Sequence, residues 1–419
     1  MTPRKISAAI ATMASVALLA TACSSSGSNE TPGAGATGSG APSTAAQPVT
    51  ITFQEQFSDA ESAEIEKLLP QFNAAHPEIT VKLVRDNDTS YYDKLTTQIA
   101  GGGGPDIARV EPPKAAQYVA SGWTAPLGDS VKQDEYFAST LAGLTKDGNL
   151  YGVPQDVSTL ALFYRTDLIP TAPATWDALK SDVVSVTKDG KYGIGLFGGW
   201  GAYEFYPWLW QAGAQVLSAD GKTAVFNSAE AVNALQLWVD LQKNGMPAGM
   251  ATATEDDLKA RFISGNLAMF TSGAWAIQSL KDAKIDGKWA VAPMPKGQQA
   301  ASVLGGMDLV VLQNSKHQEA AKTFINWLMQ DSVQKKWDAD LSYIPVKSSL
   351  YDDPAFKGDP NVSQFAQILQ DSKSRPTVAA AGDVDTALGN AVQAALAGTA
   401  TPKAALDAAV AKANEALSK

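Results

Sequence analysis

The chain has 419 residues, 45% apolar and 18% charged, with a formal net charge of −10, a single cysteine and two histidines. That is the composition of a globular protein, too long for one ordinary core and long enough for two. The acidic balance and the absence of a Lys/Arg run exclude a nucleic-acid partner and an anionic membrane face, and one cysteine excludes an internal disulfide.

At the start, Arg4 and Lys5 precede an apolar run over residues 8–19 and then Ala20-Thr21-Ala22-Cys23. This is the layout of a secretory signal over residues 1–22, with a core too short to span a bilayer comfortably. Leu19-Ala20-Thr21-Ala22-Cys23 resembles a bacterial lipobox, with Ala20 where a leucine is commoner. The resemblance implies acylation of Cys23; the alternative is an ordinary cleaved signal. Residues 23–47, rich in Ser, Gly, Ala, Thr and Pro, cannot bury a core and read as a flexible tether.

The body begins at about residue 48. Val49, Ile51 and Phe53 alternate as a strand, Ser58 and Glu61 form a capping box, and Ile65, Leu68, Leu69 and Phe72 follow at helical spacing. Ile79, Val81 and Leu83 give the next strand, so the first unit is βαβ and its sheet parallel. A helix over Tyr91–Ala100 runs into Gly101 to Gly104. These glycines follow a helix and lack a Lys-Ser/Thr pair, so they read as a helix stop rather than a phosphate loop. A strand over 105–110 follows.

Gly152-Val153-Pro154 opens an extended stretch ending at residues 160–164, a buried strand leading out of the first lobe. Further along, Ser228 caps a helix stopped by Gly245, a strand covers 308–312, and Ser315 with Gln318 opens the next helix. The C-terminal third is Ala-rich helix, including 385–396 and Pro402–Leu417. No later apolar stretch reaches spanning length, which points to a soluble body.

The ordered set of local motifs over this body is similar to the extracellular solute-binding proteins of bacterial sugar ABC transporters, the maltose and multiple-sugar type. It comprises Pro105-Asp106-Ile107 with residues 118–127 (YVASGWTAPL), Tyr151-Gly152-Val153-Pro154 with 162–168 (LFYRTDL), and 262–269 (FISGNLAM) with Gly273-Ala274-Trp275. It continues with 293–297 (PMPKG), Gly305-Gly306 and Tyr343-Ile344-Pro345-Val346. The resemblance implies a two-lobed α/β periplasmic-binding-protein-like fold of class II. Residues 48–155 plus about 308–350 would form lobe 1, and 156–307 plus about 351–419 lobe 2. Ligand would lie in the cleft between them, and hinge closure would present it to permease subunits.

A sugar needs carboxylates or amides around its ring plane and an aromatic face against its C–H face. Loops at the carboxyl ends of strands line the crevice of such lobes, which singles out Glu55, Gln56 and Glu111. Asp156 stands at the crossover; Asp106 is read as fixing a turn. The segment 200–210 is crowded with aromatics. Phe205, Trp208 and Leu209 are assigned to a packed helix, whereas Trp200 and Tyr203 lie at its start, in the stretch that meets sugar by resemblance. Trp275, in the Gly-x-Trp motif, is the implied indole against the pyranose face. Asp308, beside Gly305 and Gly306, either binds sugar or pins the hinge. Tyr343 and Arg375 complete the candidates, Arg375 equally readable as a surface cation before Pro376.

His76 and His317 lie far from one another in the sequence, and no His-Glu-x-x-His, Gly-x-Ser-x-Gly or cysteine nucleophile is present. No catalytic residue, cofactor or metal is therefore expected. The expected protein is a monomeric receptor for an extracellular sugar or oligosaccharide, tethered to the membrane through Cys23. Polyamine or peptide cargo, or polysaccharide hydrolysis, are the competing readings.

Overall fold

The computed structural model describes residues 48–419, apart from 88–89, 197–200 and 251. Cys23 and Trp200 lie outside the described residues. β1 (Val49–Glu55) and β2 (Ile79–Arg85) pair in parallel along their whole length, joined by the helix Asp59–Ala75. Both halves of the Ser58/Glu61 capping box form, and Ile65, Leu68 and Phe72 turn into the core. β3 (Ile107–Val110) pairs in parallel with β1, after Gly101 has ended the helix Tyr91–Ala100. Asp106 just before it accepts from the amide and hydroxyl of Thr52 and the hydroxyl of Ser315, a turn-fixing role.

A short hairpin, β4 (Thr145–Lys146) and β5 (Asn149–Leu150), leads into β6 (Gly152–Thr159). After Leu160 the chain continues as β7 (Ala161–Arg165) in a separate three-stranded sheet, between β8 (Met269–Ser272) and β9 (Trp289–Ala292). The single extended stretch expected over 152–164 is thus two strands in two sheets. β10 (Ser302–Val311) returns from that second region and runs antiparallel to β6; β11 (Ser372–Ser374) pairs with its first residues. β10 also pairs with β3, which completes the six-stranded sheet β11-β10-β3-β1-β2 with β6 attached.

The aromatic segment packs as expected: Phe205, Trp208 and Leu209 are fully buried around the helix Tyr206–Gln211. The helix expected to start at Ser315 begins at Gln318 with His317 at its cap. Ser315 instead accepts from the His317 amide while donating to Asp106, so its hydroxyl serves two loops at once. The helices Ala381–Leu396 and Pro402–Leu417 pack on one another and on Ala229–Gly245. No helix among the described residues is long and apolar enough to cross a membrane.

Candidate binding site at the paired crossover strands

The pairing of β6 with β10 sets the geometry. A bulge shifts the register between Met307 and Asp308, opposite Pro154; proline offers no amide to a ladder, and a bulge is where a strand accommodates that and re-aims a side chain. Glycine is required beside it. At Gly306, φ is +124° and a Cβ would sit 2.2 Å from the Asp156 carbonyl oxygen; at Gly305 a Cβ would run into the Tyr203 ring and hydroxyl. With both side chains missing, Tyr203 lies directly on the strand and reaches the Ser158 hydroxyl at 3.3 Å.

A recess opens here, lined among others by Pro112, Pro154, Asp156, Gly305, Asp308 and Arg375. Its volume is about 30 Å³, the space of roughly one water. Asp156 is buried and its Oδ2 accepts from Arg109 at 2.7 Å; burial pushes its carboxyl up to about 6, although Arg109 opposes this. Arg109, buried on β3, also holds Glu61 at 2.6 Å and Gln155 at 2.8 Å, and lies 4.7 Å over the Phe57 ring. Burial, and then the charge of the same Glu61, hold the Tyr343 hydroxyl well above its ordinary range.

Arg375 follows β11 and is only 6% exposed, so it is no surface cation. It holds Glu111 at 2.9 Å and Asp385 at 3.0 Å, and its guanidinium lies 5.0 Å over the Tyr203 ring. Tyr206 donates to Asp385 from behind. Asp308 is 3% exposed, and its Oδ2 has no hydrogen-bond partner among the described residues; burial first, and then the Asp156 charge, hold its carboxyl well above the usual range.

Five of the sequence candidates therefore converge: Glu111, Asp156, Tyr203, Asp308 and Arg375. Glu55 does not line the recess. It is 1% exposed at the end of β1, where its carboxylate folds back on the Phe57 amide, and half-buried Gln56 follows it. Trp275 does not line the recess either. It opens the helix Trp275–Asp282 just past β8, whose last residue Ser272 pairs with Ala161 at the crossover end of β7. Its indole lies flat against Gly273 and donates at 2.8 Å to Glu255, a buried carboxylate also bonded by Ser272. Arg109, Asp385 and Glu255 are the residues sequence reasoning missed. Among the described residues no group of three or more His, Cys, Asp or Glu side chains is arranged to hold a metal ion.

The arrangement offers hydrogen-bond acceptors in a buried crevice, beside a tyrosine ring that Arg375 covers. Among the described residues lining it there is no Ser or Cys nucleophile beside a His base. Comparison with known proteins agrees with a binding role. The maltotriose-binding protein of Pyrococcus abyssi is 25% identical over 328 residues, covering 74% of this chain and 69% of that protein. Among solved structures, a solute-binding protein of an ABC transporter from Thermotoga lettingae, bound with alpha-D-tagatose, superposes with a TM-score of 0.81 at 25% identity. The match covers 88% of this chain and 99% of that one. The GacH receptor of Streptomyces glaucescens, solved unliganded and with acarbose, superposes with a TM-score of 0.79 at 27% identity over 88% of this chain and 97% of its own. The fold is accordingly the two-lobed α/β fold of these sugar-binding proteins. The family model for bacterial extracellular solute-binding proteins matches residues 67–364, and the chain belongs to that family.

Proposed function

We propose that this protein captures a sugar or short oligosaccharide outside the cell, between a lobe built on the six-stranded sheet and a lobe built on the three-stranded sheet, and delivers it to ABC transporter permease subunits. Residues 48–155 with about 308–350 are assigned to the first lobe, and 156–307 with about 351–419 to the second. Cys23 is assigned as the lipid-bearing residue that holds a monomeric receptor at the outer face of the membrane. Ligand binding is assigned to Glu111, Asp156, Tyr203, Asp308 and Arg375 at the crossover, with Trp275 as the indole platform of the second lobe. Glu55, Gln56, Trp200 and Tyr343 are further candidates around the cleft.

The observation that carries the reading is the meeting of buried carboxylates, an arginine and a tyrosine ring on the crossover strands between the two sheets. The names of the relatives, which bind maltotriose, tagatose and acarbose, favour a sugar as cargo. The recess is too small for a pyranose as it stands, so entry requires the lobes to part and binding to close them, a hinge motion. No bond is broken in this scheme.

Titration calorimetry of the soluble body against maltose, maltotriose, tagatose and spermidine tests it. One-to-one retention of at least one sugar, with the sugar recovered intact, is the expected result. Binding of spermidine alone, or release of shorter products from a labelled oligosaccharide, would replace the reading with one of its rivals.

A further inference from the structure

Asp308 carries more than a generic polar lining. The Arg375 guanidinium acts on it directly and Arg109 stands beyond Asp156, and both arginines are already matched. Arg109 holds Glu61 and Asp156; Arg375 holds Glu111 and Asp385. Four carboxylates thus meet two cations before Asp308 is counted, and Asp308 is a fifth acid, 3% exposed, with its Oδ2 unbonded among the described residues and its side chain on the recess. The charges that act on it are those of Asp156, which repels, and Arg375, which attracts but is shared with its two own partners.

A sugar hydroxyl placed in this recess gives Asp308 one donor and no charge. Burial and the Asp156 charge keep the Asp308 carboxyl protonated beside such a hydroxyl, so the contact stays one between two neutral groups. An ammonium group supplies up to three donors and the positive charge that lets Asp308 ionise, and charge-assisted bonds of that kind are the stronger ones. The recess has space for about one small group, which an amine substituent fits while the sugar ring stays outside.

We infer that the ligand of this protein is an amino sugar, whose protonated amine enters the recess and pairs with Asp308 and Asp156. This rests on the sugar-capture reading above and narrows its ligand class.

The test is calorimetry on the soluble body with three dimers of one linkage, a β-1,4-linked glucosamine dimer, its N-acetylated form and cellobiose, at a pH where the amine is charged. The glucosamine dimer is expected to bind about tenfold or more tightly than either uncharged dimer. In Asp308→Asn that ratio is expected to fall toward one, with circular dichroism confirming that the variant is folded. Equal or tighter binding of an uncharged dimer by the wild-type chain overturns the inference, and so does a preference that survives in folded Asp308→Asn. If maltotriose or tagatose binds and the glucosamine dimer does not, the amine assignment falls while sugar capture stands. If no sugar of either set binds, both fall.

Discussion

Arg109 and Arg375 each sit in a buried setting between two carboxylates, yet they do different work. Arg109 and its partners lie on β3, β6 and the helix Asp59–Ala75, all packed around the six-stranded sheet. Arg375 takes one partner, Glu111, from the end of β3 and the other, Asp385, from a helix that packs against Ala229–Gly245. The first arginine therefore ties a single sheet to its own helix, and the second ties the end of that sheet to a helix that packs both on the helix directly after β3 (Pro112–Ala120) and on Ala229–Gly245. Burial alone does not separate the two; the addresses of the partners do.

Substitutions sharpen this contrast. The largest effect is expected for Arg109→Met, which leaves Glu61 and Asp156 buried without their cation and lowers stability by about 3–5 kcal/mol, read as a shift of the urea midpoint at unchanged slope. A midpoint shift below about 1 kcal/mol would show that the two carboxylates find other partners or simply take up protons.

Next comes pH. Asp156 keeps its proton up to about 6 in the folded chain against an ordinary value of 3.8. The folded state thus binds that proton more tightly than the unfolded one, so its stabilising contribution is complete below about pH 4 and is lost as the pH rises through 6. Asp156→Asn should remove a decline on the order of 3 kcal/mol from the stability profile across that window. Parallel profiles for the two proteins would break the assignment.

The smallest effect is expected for Glu111→Gln. Glu111 is 42% exposed, so solvent screens its pair with Arg375 and the loss of stability should stay within about 1 kcal/mol. On the proposed ligand assignment, sugar affinity should fall about three- to tenfold. A variant that loses stability but keeps its affinity would place Arg375 with Arg109 after all.

The elements were legible where one segment carries its own signal. The Ser58/Glu61 box, the alternation of β1 and β2 and the proline-started helix Pro402–Leu417 all formed where their spacing put them. The candidate site was legible in part, because Asp156 and Asp308 neighbour the proline and glycines that mark the crossover and Tyr203 stands at the head of the aromatic segment 200–210. Arg109 was not. It sits in the four-residue buried strand Ile107–Val110, where an arginine carries no periodic signal, and its two carboxylates lie 48 and 47 residues away. Asp385 escaped although Arg375 lies only ten positions away, because Arg375 itself carried no sign of burial in the sequence and the other partner, Tyr206, is 179 positions distant. Ser315 misled because its hydroxyl has a better claim on it from Asp106 than from the helix it precedes.

The missing amide of Pro154 has a mechanical side. Where it faces Asp308, the ladder joining the two crossover strands lacks a rung, so flexing costs least at that point. On the proposed assignment, a swing of one lobe against the other is felt first by the Asp308 carboxyl group, and what it holds sets how far the swing can go.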